Sequence, residues 1–94
     1  MGSNGNQSQT YGREVESYRL DTTTSEQTIT FDSQVFSFVI YAKTAGIRYE
    51  INGTTDDDSM ELPAGEREVR TVLTSTIVVK TLAGAGEVYV SGHR

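Results

Sequence analysis

Residues 46–72 constrain this chain more than any other stretch. Gly46-Ile47-Arg48-Tyr49-Glu50-Ile51-Asn52-Gly53 opens it, an acidic loop follows, and Leu62-Pro63-Ala64-Gly65-Glu66 leads into a second alternating run. Ile47, Tyr49 and Ile51 point one way and Arg48 and Glu50 the other. That is the period of two of a half-buried strand. Asn52-Gly53 then breaks the chain with residues that tolerate positive φ. Strand, turn and strand follow one another here with no catalytic motif among them.

The same grammar recurs on both sides. Residues 15–20 form a first run with Tyr18 and Leu20 on one face. Residues 27–31 alternate, with Ile29 and Phe31 inward and Thr28 and Thr30 outward, and Asp32-Ser33-Gln34 is expected to turn the chain. Further runs cover 35–43, 47–51, 60–62, 66–73, 76–82 and 88–90, broken by Gly, Asn, Asp, Ser or Pro. No segment of about 10–12 residues carries a helical period. Some seven or eight strands at intervals of roughly 8–12 residues predict an antiparallel β-sandwich or a jelly-roll-like fold.

Ninety-four residues make one domain. A domain of this size buries only about 60–70% of the surface its unfolded chain exposes. With hydrophobic residues at 35% of the chain, association with further copies or with a larger partner is expected. There is no cysteine to add a disulfide or a thiolate metal site, which fits a cytosolic folding environment. The net charge of −5 argues against sequence-independent nucleic-acid binding, which needs a basic surface, and against docking on anionic lipid. The apolar run at 36–42 is far too short to span a membrane. No basic region precedes an apolar stretch near the N-terminus, so a signal peptide is not expected.

Two places invite a partner. Residues 1–13 are expected to form a flexible N-terminal arm preceding a single β domain at 14–94. The first twelve carry no charge and little besides Gly, Ser, Asn, Gln and Thr, too few apolar groups to offset the entropy of ordering. Asn4, Gln7, Gln9 and Tyr11 are its candidate contact residues, with Tyr11 as the anchor. The run at 35–43 is apolar on both faces: Phe36, Phe38, Ile40 and Ala42 on one, Val35, Val39 and Tyr41 on the other. A strand of that kind is covered twice. One face is expected to meet the core, and Val35, Val39 and Tyr41 an oligomer partner.

Candidate chemistry is sparse. His93 is the only histidine, so His- or Cys-based nucleophilic triads and a His-liganded metal within one chain are excluded. Asp56, Asp57 and Asp58 with Glu61 form the densest charge cluster. Calcium loops place ligands at alternate positions around a glycine, whereas adjacent side chains diverge, so a solvated loop is expected. Glu50, Glu66, Glu68 and Glu87 are expected on outward faces, pairing with Arg48, Arg67, Arg70 or Lys80 rather than forming a glycosidase pair. Gly84-Ala85-Gly86 precedes no helix and no Lys-Ser/Thr, so it is not a phosphate loop. Tyr11, Tyr18, Tyr41, Tyr49 and Tyr89 could stack on sugar rings. A carbohydrate-binding module is therefore the alternative to a structural role. No catalytic residue, metal ligand or cofactor is expected.

The strand and turn at Arg48-Tyr49-Glu50-Ile51-Asn52-Gly53-Thr54, the Leu62-Pro63-Ala64-Gly65-Glu66 turn and the closing Val88-Tyr89-Val90 strand together resemble small virion proteins of tailed bacteriophages. The resemblance covers roughly residues 35–91 and consists of strand and turn chemistry. It implies a β-sandwich or jelly-roll-like fold and a non-enzymatic role as a capsid decoration (cement) protein, or as another head or tail accessory protein. It further implies location on the virion surface after synthesis in the host cytoplasm, and the major capsid protein or another virion protein as partner. The expected form is a homotrimer whose arm docks on neighbouring subunits. Many weak contacts on a repeated surface would then add up to a stable coat.

Overall fold

The computed structural model describes residues 15–53, 55 and 59–94. Among them are six strands: β1 (Val15–Thr22), β2 (Gln27–Ala42), β3 (Ile47–Ile51), β4 (Met60–Leu62), β5 (Arg67–Thr81) and β6 (Gly86–His93). All pairings are antiparallel, in one sheet of order β1-β6-β2-β5-β3-β4. The all-β architecture is the one the alternating pattern predicts.

Two strands of 16 and 15 residues convert this sheet into a sandwich-like fold. The C-terminal half of β2 pairs with β6 on one side and with the N-terminal half of β5 on the other. The N-terminal part of β2 pairs only with the C-terminal half of β5, which in turn holds β3. One layer therefore contains β1, β6, residues 35–42 and residues 67–74; the other contains residues 27–31, residues 76–81, β3 and β4. Counted by layer, the long strands contribute twice, giving the eight segments that the pattern marks. The layers meet through Phe38 and Tyr49, whose rings are edge-on with centroids 6.3 Å apart, and through Tyr18 and Phe31 at 5.8 Å.

The expected turn at Asp32-Ser33-Gln34 does not form. β2 runs through it, with register shifts on either side of Val35. These irregularities let one strand bend from one layer to the other. They also reset the alternation. Val35 is completely buried and Phe36 is 64% exposed, the reverse of the facing read from the sequence. A period of two carries across a strand only while no residue is inserted.

The core joins Ile29, Phe31, Ile77, Val79, Ile47, Tyr49 and Leu62 from one layer to Val35, Phe38, Ile40, Ala42, Val88 and Val90 from the other. Turn chemistry sets the ends. Gly65 adopts φ 84° in the turn closed by the Glu66 N–H donating to the Pro63 carbonyl at 3.1 Å. Asn52 adopts φ 59° where β3 ends, as the Asn-Gly pair predicts.

Candidate interaction surface

The outward face of the β1–β6–β2–β5 layer carries two ordered rows of side chains. The register sets Arg19 opposite Tyr89, Tyr89 opposite Tyr41, and Tyr41 opposite Arg67. One row thus crosses four strands. The Tyr41 and Tyr89 rings stack with centroids 6.2 Å apart and 24° between planes. The Arg67 guanidinium lies 5.1 Å from the Tyr41 centroid, and the Lys43 ammonium 5.6 Å from that of Tyr89. Stacked rings flanked by cations gain from both the ring offset and the quadrupole.

The next row crosses the same strands as Ser17, Ser91, Val39 and Val69. Ser17 and Ser91 share a hydrogen bond of 3.2 Å between hydroxyls. Val39 is half-buried, and Val69 is 64% exposed at the rim. Between the tyrosine row and His93 the face forms an open groove of about 550 Å³, lined by Val69 and Arg67 toward β5 and by hydroxyls toward β1.

Charges pin one margin of this face. Glu87 accepts from Arg19 and lies 3.5 Å from the Lys43 ammonium. The Arg19 bond above all holds the Glu87 carboxyl below its ordinary range. The Glu87 charge beside Lys43 raises that ammonium. Arg19 also reaches Asp21 at 2.9 Å. Among the described residues Arg67 has no carboxylate partner, so the β5 end of the groove presents an open positive charge. In a chain of net charge −5, that is a local inversion.

Two further networks lie at the layer margins. The Glu16 carboxylate accepts from the Tyr18 hydroxyl, from the Asp32 N–H at 3.0 Å and from Arg94 at 2.6 Å. It ties β1, the bend of β2 and the last residue together. The Tyr18 hydroxyl bond leads the causes that lower Glu16, and in return raises the Tyr18 hydroxyl to about 12. Across the molecule the buried Tyr49 donates to Glu68. Burial first, and that bond second, raise Tyr49 to about 12. Glu68 therefore sits at the core margin rather than on the outward face expected for it.

Of the residues singled out from the sequence, Val39 and Tyr41 lie on this outward face. Val35 does not; it is core, because the register shift beside it turns it inward. Asn4, Gln7, Gln9 and Tyr11 lie outside the described residues, as do Asp56, Asp57 and Asp58. Tyr89, read from the sequence only as a candidate sugar-stacking ring, joins Val39 and Tyr41, and Arg67 and Val69, not read as contact residues, complete the face. Each belongs to a strand distant in sequence, and only the pairing β6–β2–β5 brings them beside Tyr41.

No protein-family description matches this chain, and no curated protein does. Among solved structures, a match comes from work on Bacillus endospore appendages, described as a novel family of disulfide-linked pili. It covers 86% of this chain and 84% of that one, with a TM-score of 0.62 and 14% identity. The likeness is one of fold.

Proposed function

We propose that this protein is a non-enzymatic structural subunit that works by assembling into a repeated surface, with the outward β1–β6–β2–β5 face as a contact face. The observation that carries this reading is the contiguous set of Val39, Tyr41, Val69 and Tyr89 on one regular sheet face, with Val69 64% exposed. Contiguous apolar and aromatic groups at a surface mark interaction sites, and tyrosine and arginine are enriched in such interfaces. In the form that the virion resemblance implies, the protein decorates or cements a bacteriophage capsid as a homotrimer. Residues 1–13 would then dock on neighbouring subunits of the major capsid protein or another virion protein.

A second form, an open filament, is favoured by the fold likeness to the pilus protein. Disulfide linkage is not open to this chain, which has no cysteine, so its contacts would be non-covalent. The carbohydrate-binding alternative draws less support. Sugar stacking needs an open ring face, and Tyr41 and Tyr89 already have each other and a cation against their rings.

Sedimentation velocity over a concentration series, with negative-stain microscopy of the same samples, tests the reading. A discrete trimer supports the decoration form, and open fibres support the filament form. A single monomeric species at every concentration overturns both.

A further inference from the structure

Among the described residues several strand edges are unpaired, and they differ in kind. β4 has three residues and is followed by Pro63, a blunt edge of the sort that resists pairing. The outward positions of β1 include Arg19 and Asp21, already joined to each other. The N-terminal half of β5 is different. Residues 67–73 pair with β2 on one side, and no described backbone pairs with them on the other. Val69 and Leu73 on this edge are 64% and 51% exposed, and Phe36, also 64% exposed, lies on the adjoining β2 in the irregular stretch between the Val35–Thr74 and Ser37–Thr71 pairs. A long unpaired edge with exposed aliphatic groups is a template for another strand.

The sequence of this edge says which strand. Glu68, Val69 and Arg70 are consecutive. When an antiparallel strand pairs with its own copy about Val69, each Glu68 faces the other copy's Arg70, and Val69 faces Val69. Glu68 and Arg70 share the side of the sheet that faces Tyr49, whose hydroxyl already donates to Glu68 and lies 3.5 Å from Arg70, and Val69 lies on the other; in this register the two opposite-charge pairs add to those contacts while the apolar pair forms. The register centred on Glu68 sets like charge against like charge, as does the one centred on Arg70. We propose that two copies of this protein associate through the edge at residues 67–73, as a two-fold antiparallel strand pair centred on Val69. The occupant of the edge is a second copy, because the charge pattern is self-complementary. The contact is isologous and extends the outward face across the dimer axis. The inference rests on the assembly reading above and names one contact of its filament form, since no two-fold axis relates copies within a discrete trimer.

The absence of cysteine makes the test direct. Directly opposed residues in an antiparallel pair have Cα atoms about 4.5–5.5 Å apart, within the range a disulfide spans. Thr71 and its copy would instead be four positions apart, about 13 Å at strand rise. The full chain carrying Val69→Cys is expected to give a covalent dimer on mild oxidation, and the chain carrying Thr71→Cys is not. In the wild-type background, Arg70→Glu is expected to shift the sedimenting species toward monomer, and adding Glu68→Arg to restore it. Cross-linking through Thr71→Cys in preference to Val69→Cys overturns the pairing. If wild-type protein assembles while Val69→Cys stays monomeric on reducing-agent-free gels, the strand pair is wrong and the assembly reading stands. If wild-type protein is monomeric throughout and neither variant cross-links, both fall.

Discussion

Gly92 lies directly against Phe31, across the interior between the two layers. A methyl group at Gly92 would sit 2.6 Å from Phe31 Cε1 and 2.9 Å from Val35 Cγ1, well inside van der Waals contact. Gly92 also pairs with Phe38 on β2 and Glu16 on β1, so β6 cannot retreat without breaking two ladders. Gly92→Ala is therefore expected to destabilise the fold by about 1–3 kcal/mol, the usual cost of overpacking. A lower urea midpoint at unchanged slope would show it. Phe31→Leu should recover part of the loss in the double variant, because the two positions touch.

The Glu16 network predicts acid sensitivity with a definite sign. The Glu16 carboxyl titrates below its ordinary 4.5 in the folded chain, first through the Tyr18 hydroxyl. Glu87 is lowered through Arg19, and Glu26 through Thr55. A carboxyl lowered by folding contributes stability that is fully present above its unfolded value and is lost as pH falls through the folded one. The urea midpoint should thus hold steady near neutrality and fall below about pH 4.5. Glu16→Gln should flatten that fall. An equal slope in wild type and variant would contradict the role assigned to Glu16.

At the alkaline end the sign reverses. Tyr18 and Tyr49 both lie near 12, against an ordinary 10. Their protonated forms are favoured by folding, so this contribution is intact below about pH 10 and is lost as pH rises toward 12. Tyrosinate absorbance should show two groups ionising late, and Tyr49→Phe should remove one of them. The same substitution leaves Glu68 without its buried donor, at a cost of about 1–3 kcal/mol near neutral pH.

Most of the fold was legible from the period of two. Ile29 and Phe31 are inward as read, and Ile47 and Tyr49 likewise. Apart from Glu68, bound by the buried Tyr49, the misread faces cluster at one place. Asp32-Ser33-Gln34 has turn composition, yet β2 continues, because a layered sheet needs its long strands to bend and a bulge bends without ending the strand. Composition does not separate a bulge from a turn, and the facing of the residues beside it depends on the choice, whereas Phe38, Ile40 and Ala42 are inward as read. Val35 and Phe36 exchange faces for that reason. The outward face was half legible: Val39 and Tyr41 share a strand, whereas Tyr89 and Arg67 join them only through non-local pairing.

Asn52 offers a local test of turn chemistry. It holds φ 59°, and its side-chain carbonyl accepts from Thr74 at 2.8 Å and Thr76 at 2.9 Å. These bonds fasten the end of β3 to the place where β5 changes layer. Asn52→Ala loses both bonds and must hold an alanine in a left-handed conformation, which alone costs about 1–2 kcal/mol. Asn52→Gly loses the bonds but not the conformation. Asn52→Ala should accordingly unfold at a lower urea concentration than Asn52→Gly, and both below wild type. The opposite order would mean that the backbone is not what Asn52 supplies.

Val35 and Val39 separate core from contact face on a single strand. Val35 is completely buried among Phe38, Ile40 and their neighbours. A carboxylate there has no partner and no water, a penalty of several kcal/mol against a total stability of about 5–15 kcal/mol. Val39 lies between Ser91 and Val69 on the outward face, half-buried and open to the groove. A carboxylate at that position can reach solvent, and Arg67 stands at the groove's β5 end. Val35→Glu is expected to abolish the β-sheet circular dichroism spectrum. Val39→Glu should keep that spectrum with a loss of about 1 kcal/mol or less, and lose assembly if this face is where copies or partners meet. Unfolding by Val39→Glu would place the residue in the core. Retained structure and unchanged assembly would move the contact off this face altogether.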